Sequence, residues 1–392
     1  MKIVMLCACQ ELLRLRRKVK VGYVAVKGGT KAIEESINRL KYERLKKGEI
    51  SAVKNILASM RGLIDQVMSE ASLYSHELAA IAIKQSEGNM EEAVFLLRAY
   101  KSTLPRKHYT RTVESRDMWV ERRVSASFKD ILGGQILGAT YDYTHRLIDF
   151  DLINESKEEA KIWLKNFEKE LEEANKSDID LRRLPKVLEH LRKEGLIKDY
   201  EDNNESPMDI TKKSIEFPTK RSERLQSLTR GQTGGVNSLA YSALRSSGIT
   251  HPTVGEIRVG SLPLYIEEPL STGEGEEEDY YIGDIKVTEV EMFIPSSSKN
   301  DEGGYKQGFD IGYGICYGQN ETKAISMSIL DECLEKKDKR YPTGDEEFVL
   351  LSIDSVESTG FLSHLKLPHY VTFQSTLDSV RKTRKKEEVH EG

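Results

Sequence analysis

The sequence predicts an α+β protein: an N-terminal helical domain, then a mixed α/β region with antiparallel strands and a C-terminal helix. Three observations carry that expectation. Before Pro105, apolar residues recur three and four apart, the period of a helix face. After Pro207 they alternate with small or polar residues, the period of a half-buried strand. Between the two lies a strongly charged segment, residues 151–206, which includes KNFEKELEEANK. The expected organisation is a disordered extension over 1–22 and a helical domain with a charged, glycine-containing stretch over 23–150. A charged helical insert and linker over 151–206, an α+β domain over 207–381 and a charged tail over 382–392 complete it.

In chain order, YVAVK at 23–27 reads as a short strand and Gly28–Gly29 as a turn. Thr30 then caps a helix with Ile33, Ile37 and Leu40 on one face, ending at Lys46, Lys47 and Gly48. Strand, glycines and helix is the layout of a phosphate-binding turn. Neither GxxxxGK[ST] nor GxGxxG is present, however, so a plain turn is the simpler reading. A second helix carries Ile56, Met60, Ile64, Val67 and Met68. A third is capped by Ser75 and buries Leu78, Ile81 and Ala82; a fourth, from Glu91, carries Val94, Leu97 and Tyr100. The charged insert has Ile162 and Trp163, then Leu188, Leu191 and Leu196, and reads as solvated. KRSERLQSLTRG at 220–231 reads as a helix bearing Arg221, Arg224 and Arg230. Ile285 and Val287, then Val290, Met292 and Ile294, alternate with one slip of parity, which suggests a bulge. The acidic run at 274–279 reads as a hairpin loop, GFDIGYGICY at 308–317 as a strand, and Asn320 as the cap of a helix with Met327, Leu330 and Leu334. Residues 348–353 read as a further buried strand, and Tyr370, Phe373, Leu377 and Val380 as a last helical stripe.

Composition narrows the class. At 392 residues there is room for two or three domains, and 38% hydrophobic with 31% charged residues fits a soluble globular chain. A net charge of −5 argues against general nucleic-acid binding, which needs a basic face. No apolar run approaches the ~20 residues of a membrane span. The four cysteines (Cys7, Cys9, Cys316 and Cys333) are too scattered for a disulfide framework, and the expected compartment is the cytoplasm. Cys7 and Cys9 have no second Cys/His pair nearby to complete a metal site.

Residues 121–150, ERRVSASFKDILGGQILGATYDYTHRLIDF, concentrate the polar chemistry. Arg122, Arg123, Lys129 and Arg146 suit phosphate or carboxylate, and Gly133–Gly134 lets backbone approach a ligand. A surface loop leading into a solvated helix is the plainer alternative. Arg221 and Arg224, three apart, either fork onto a polyphosphate or form an exposed basic face.

Several runs together resemble one family. YVAVKGG, FLLRAY at 95–100, FKDI, GGQ and TYDYTHRL within 128–147, HP-x-x-GEIR at 251–258, EEFVL at 346–350 and GFLSHLKLPHY at 360–370 are similar to the PhnI family, subunits of the bacterial carbon–phosphorus lyase core complex. Leu132 and Ala139 stand where that family has prolines, and the acidic stretches at 155–180 and 274–279 look peculiar to this chain. The family begins at the tyrosine of YVAVKGG, so residues 1–22 read as a start-site artefact. The resemblance implies that the chain, with the other core subunits, joins an alkylphosphonate to C1′ of ATP. Adenine is displaced and a ribose 1-phosphonate 5-triphosphate forms. Alone, the family is associated with nucleosidase activity, and a radical lyase subunit of the complex later breaks the C–P bond. Displacement at an anomeric carbon needs a carboxylate beside the oxocarbenium-like centre and an acid for the leaving purine. Asp142 and His145 are one candidate pair; Glu256 with Arg258 is a second set. Arg122, Arg123, Arg146, Arg221 and Arg224 are candidates for the triphosphate, and all of these groups fit structural ion pairs as readily. His364 and His369, in HLKLPHY, have a spacing that fits paired zinc histidines but lack a nearby third donor; Pro368 bars an uninterrupted helix between them. The resemblance implies a zinc site there, shared with a partner subunit. The competing expectation is a non-catalytic scaffold that organises catalytic partners.

Overall fold

The structure, a computed structural model, describes residues 29–174, 184–197, 205–246, 251–267, 279–299, 304–367 and 369–390. The expected strand at 23–27 and most of the acidic hairpin loop lie outside them. Contacts divide the chain into two units, one of residues up to Ser51 and from Glu357 on, the other Ala52–Val356.

The larger unit opens with helices α2 (Val53–Ser59), α3 (Arg61–Ala71), α4 (His76–Gln85) and α5 (Met90–Lys101), α1 belonging to the other unit. The helix expected through Met60 is broken there: Met60 is exposed and leaves helical geometry, so no burial holds the two segments in one line. Ser75 and Asn89 cap α4 and α5 by accepting from Leu78 N (3.4 Å) and Glu92 N (2.9 Å). Ile64, Val67, Met68, Ala79, Ala80, Ile83, Val94 and Leu97 make the core of this bundle. Ile81 and Tyr100, expected inside, face solvent, because α4 turns Ala79, Ala80 and Ile83 inward and α5 turns Ala93, Val94 and Leu97 inward.

Strands β1 (Trp119–Val124), β2 (Thr253–Glu267), β3 (Asp279–Lys299) and β4 (Tyr305–Tyr317) form one antiparallel sheet in that order. One face (Ile257, Val259, Val290, Met292, Ile294) packs on α8 (Arg221–Arg230), α9 (Thr233–Ser246) and α10 (Glu321–Lys336) through Leu228, Val236, Ala240, Met327 and Leu330. Helix α10 presses so close to β4 that a Cβ at Gly312 or Gly314 would sit 2.1 Å from the carbonyl of Ser328 or Ala324. That contact explains the second and third glycines of GFDIGYGICY. The other face is apolar at its two ends, around Val120, Leu184 and Val287 and around Leu188, Phe293 and Ile311. Between these clusters it carries charge. The parity slip in β3 is no bulge: β3 pairs β4 without a shift from Val287 to Lys299 and is buried on both faces. The register shifts lie elsewhere: Gly255 is extra on β2 between Val254 and Glu256, Ile282 on β3 between Tyr281 and Gly283, and Glu121 on β1 between Val120 and Arg122.

Two further expectations change. Residues 184–197, with the short helix α7 (Glu189–Lys193), are no solvated linker; Leu188 is fully buried under the sheet, whereas Ile162 and Trp163 of α6 (Lys157–Ala174) are exposed. Residues 346–352 form helix α11 (Glu346–Ser352), not a strand. Asp345 caps it by accepting from Phe348 N at 3.1 Å, and Glu346 and Glu347 sit where the helix dipole favours acids. A short apolar run alone does not separate strand from helix.

In the smaller unit, α1 (Gly29–Leu45) starts at Gly29 rather than after a Thr30 cap. Its expected apolar face exists but is uncovered: Ile33, Ile37 and Leu40 are about 60% exposed. Helix α12 (Ser355–His364), whose first two residues belong to the larger unit, and helix α13 (Tyr370–His390) follow, the latter with Tyr370, Phe373 and Val380 exposed. Among the described residues no helix is long and apolar enough to cross a membrane.

Candidate functional site

Arg122 and Arg123 are neighbours on β1, and a strand points neighbours to opposite faces. They therefore do not form one clamp. Arg122, 3% exposed, turns toward the start of α10, where its Nε and Nη2 donate to Glu321 Oε1 (2.8 Å) and Oε2 (3.1 Å). It also donates to Leu137 O and, through Nη2, to Asp142 Oδ2 at 2.7 Å. Burial would lower its pKa, but the Glu321 and Asp142 carboxylates outweigh that and raise it. The guanidinium thus pins the turn that follows. On that turn Asp142 is half-exposed, Arg146 lies 3.8 Å from its other oxygen with φ +55°, and Arg146 also stands over the Tyr141 ring at 5.9 Å. His145 is exposed, without a hydrogen-bond partner among the described residues. The segment is a turn, not a helix, and Gln319 Nε2 holds it from the sheet side by donating to Ala139 O at 2.8 Å.

Arg123, 1% exposed, enters the charged middle of the opposite face. Its Nε donates to Glu256 Oε1 (2.5 Å), Nη1 to Leu132 O (2.5 Å) and Nη2 to Pro185 O (2.7 Å). Glu256 accepts from Val187 N at 3.0 Å through its other oxygen. Both candidates face protein rather than solvent. Gly133 belongs to the same lock: at φ +84° it passes so close to Leu184 that a Cβ would lie 2.3 Å from that side chain. Gly134, φ +74°, has open space around it. Further along the face, Glu289 accepts from Lys186 (2.7 Å) and from Tyr313 Oη (2.9 Å), and Glu291 from Arg192 (2.8 Å). Arg258, 1% exposed, donates to Ser115 O at 2.9 Å; its Nη1 lies 3.9 Å from Glu289 Oε2 as an ion pair, and its Nε and Nη1 and the Oε2 atoms of Glu289 and Glu291 have no hydrogen-bond partner among the described residues. Against the cost of burial, Lys186 and Arg258 hold the Glu289 carboxyl below its ordinary range.

Arg221 and Arg224 on α8 are likewise engaged. Arg221 makes a two-pronged pair with the fully buried Asp331 (3.1 and 2.6 Å). Arg224 donates to Thr219 O at 2.9 Å and pairs with Glu335, and burial lowers its pKa. Sequence spacing could not reveal this, because their acceptors lie 110 and 111 residues away.

The model of the family described as "Bacterial phosphonate metabolism protein (PhnI)" matches residues 22–387. The chain belongs to the PhnI family. It is 41% identical over 372 residues to the "Putative C-P lyase subunit protein HtxH" of Stutzerimonas stutzeri, covering 93% of this chain and 97% of that protein. It is similarly related to two proteins described as "Alpha-D-ribose 1-methylphosphonate 5-triphosphate synthase subunit PhnI". The one from Rhizobium meliloti is 41% identical over 380 residues, 94% of this chain and 96% of that protein. The one from Escherichia coli is 39% identical over 376 residues, 93% of this chain and 99% of that protein.

In this PhnI-family chain His364 ends α12 and His369 precedes α13, with ring centroids 5.4 Å apart. Each Nδ1 faces a main-chain oxygen, Phe361 O for His364 and Leu367 O, at 2.6 Å, for His369. A carbonyl only accepts, so each Nδ1 carries a proton, and a neutral ring held this way would have its lone pair on Nε2. That is the arrangement found in metal-binding histidines. The pair fits half a zinc shell. The described residues contain no group of three or more His, Cys, Asp or Glu able to hold a metal.

Proposed function

We propose that this chain is a subunit of a carbon–phosphorus lyase assembly in phosphonate breakdown. With its partner subunits it joins a phosphonate oxygen to C1′ of ATP while the bond from C1′ to the purine nitrogen breaks. Adenine leaves with the electron pair, and ribose 1-phosphonate 5-triphosphate is formed. In the isolated chain water takes the place of the phosphonate. The observation that carries this reading is the likeness, over 93% or more of this chain, to proteins named as subunits of a ribose 1-methylphosphonate 5-triphosphate synthase. Asp142, held by Arg122, provides the carboxylate that stabilises positive charge at C1′; His145 provides the proton for the departing purine. Arg123, Glu256, Arg221 and Arg224 set the frame. Of the arginines singled out as phosphate ligands only Arg146, 66% exposed, is offered to solvent, so most of the triphosphate charge is met elsewhere. A zinc ion on His364 and His369 would join the chain to a partner that completes its coordination and would make the two histidines a fixed docking point.

The test is release of adenine from ATP by the purified chain, and of adenine together with the phosphonate ester when partner subunits and methylphosphonate are added. No adenine in either mixture would overturn the reading. The scaffold alternative draws on the uncovered apolar faces of α1 and α13. It prevails if adenine release by the assembled complex is unaffected by Asp142→Asn and His145→Ala.

A further inference from the structure

A cavity of about 780 Å³ opens within the Ala52–Val356 unit, lined by none of the candidate residues above. Its volume is in the range of pockets that take a drug- or nucleotide-sized ligand. The ends of α3 and α5, the segment around Asp209 and helix α8 form its walls, and strands β2 to β4 its floor. Five cations line it, Arg98, Lys101, Arg106, Lys212 and Arg230, together with one carboxylate, Asp209.

The five are not equivalent, and Lys212 stands over the Tyr109 ring at 5.2 Å. Arg98 is spent on structure: it grips both oxygens of Asp354 at 2.8 Å and the carbonyls of Glu70 and Arg230. Arg106 reaches Asp209 at 3.2 Å and Thr211 Oγ1 at 3.3 Å, and Lys101 donates, among the described residues, to Ser72 O at 2.6 Å. Arg230 is half-buried, yet its guanidinium makes no hydrogen bond or ion pair with any described residue. Burial and then Arg98 lower its pKa against the Asp354 and Asp209 carboxylates, and burial with Arg106 and Arg230 brings Lys101 down to about 8. A half-buried cation with no hydrogen-bonded acceptor among the described residues is costly to the free protein. An anion entering the cavity would relieve that cost. The floor below offers Leu262, Ile285, Ile315 and the edge of Tyr317, an apolar surface suited to a ring rather than to a bare ion.

We propose that this cavity binds a nucleoside triphosphate, its phosphate chain against Arg230 and Lys101 and its nucleoside over the apolar floor. The inference rests on the function proposed above only for the identity of the nucleotide; the cavity holds neither Asp142 nor His145 and is a nucleotide site apart from the reacting C1′.

The experiment measures binding of ATP, inorganic triphosphate, adenosine and methylphosphonate to the full chain and to its Arg230→Gln and Lys101→Met variants by calorimetry. Arg230 supports no other described residue through its guanidinium, so Arg230→Gln should melt at the parent temperature. Each variant should weaken ATP and triphosphate by about tenfold or more, the loss of one charge-assisted contact, and leave adenosine unchanged. Triphosphate should displace ATP. Unchanged ATP and triphosphate affinity in Arg230→Gln would overturn the site. Methylphosphonate displacing ATP as well as triphosphate does would overturn the nucleotide assignment. The two readings separate cleanly. Adenine release with Arg230-independent triphosphate binding refutes the cavity alone; Arg230-dependent binding without adenine release in the complex refutes the proposed reaction alone.

Discussion

At the scale of single residues, charge pairing decides what each group is free to do. Arg123 looks like a phosphate ligand by type but is the keystone of a buried pair with Glu256 and ties down the carbonyls of Leu132 and Pro185. Removing one member of such a pair strands the other, at a cost of about 3–5 kcal/mol. Arg123→Ala should therefore lower unfolding free energy by that order in urea titrations; a change below about 1 kcal/mol would show that the pair is not structural. Glu332 on α10 is a second case. Burial first, and Asp310 in addition, raise its carboxyl to about 7 against the opposing effect of Lys336 at 3.0 Å. Between its ordinary 4.5 and about 7 the folded state holds a proton that the unfolded chain releases, so stability falls as pH rises through that window. The loss is about 3 kcal/mol at most. Glu332→Gln should flatten the melting temperature across pH 4.5–7; an undiminished slope would place its origin in another group.

At the scale of elements, close approach and caps set the packing. Gly314 lets β4 lie against α10, and a methyl group there meets the Ala324 carbonyl. Gly314→Ala should cost about 2 kcal/mol or more through forced displacement of the helix, and an unchanged melting curve would contradict that contact. Helix α11 depends on Asp345 for its first turn. Asp345→Ala should cost about 1 kcal/mol, whereas Asp345→Ser should recover most of it. An effect at this position shared equally by both variants would point away from capping. The same helix shows where pattern reading stops: five or six apolar residues fit either a strand or a helix, and the acidic cap and first turn are the signals that resolve them.

At the scale of the molecule, the smaller unit exposes apolar residues along both α1 and α13, and faces of this kind mark contact surfaces. Ile37→Asp and Phe373→Asp should leave the melting temperature within a degree or two and reduce copurification with carbon–phosphorus lyase partners. Undiminished copurification would remove these faces from the interface. His364→Ala and His369→Ala should each lower the zinc content of the assembled complex, and equal zinc in parent and variants would rule out the shared site.

Sequence by itself determined the local elements whose signals are periodic. The bundle helices with their Ser75 cap, strand β4, helix α10 with its Asn320 cap, and the antiparallel character of the sheet follow from spacing and composition, whereas the Asn89 cap emerged only in the structure. The family likewise was legible, because its motifs are long runs. Which charges remain available was decided only in three dimensions. Arg221, Arg224 and Arg230 stand on one helix and look alike in sequence. Folding brings Asp331 to the first and Glu335 to the second, and leaves the third unpaired over a cavity. The physical reason is that a side chain's electrostatic role depends on acceptors delivered by distant elements, and no local pattern encodes where those elements land.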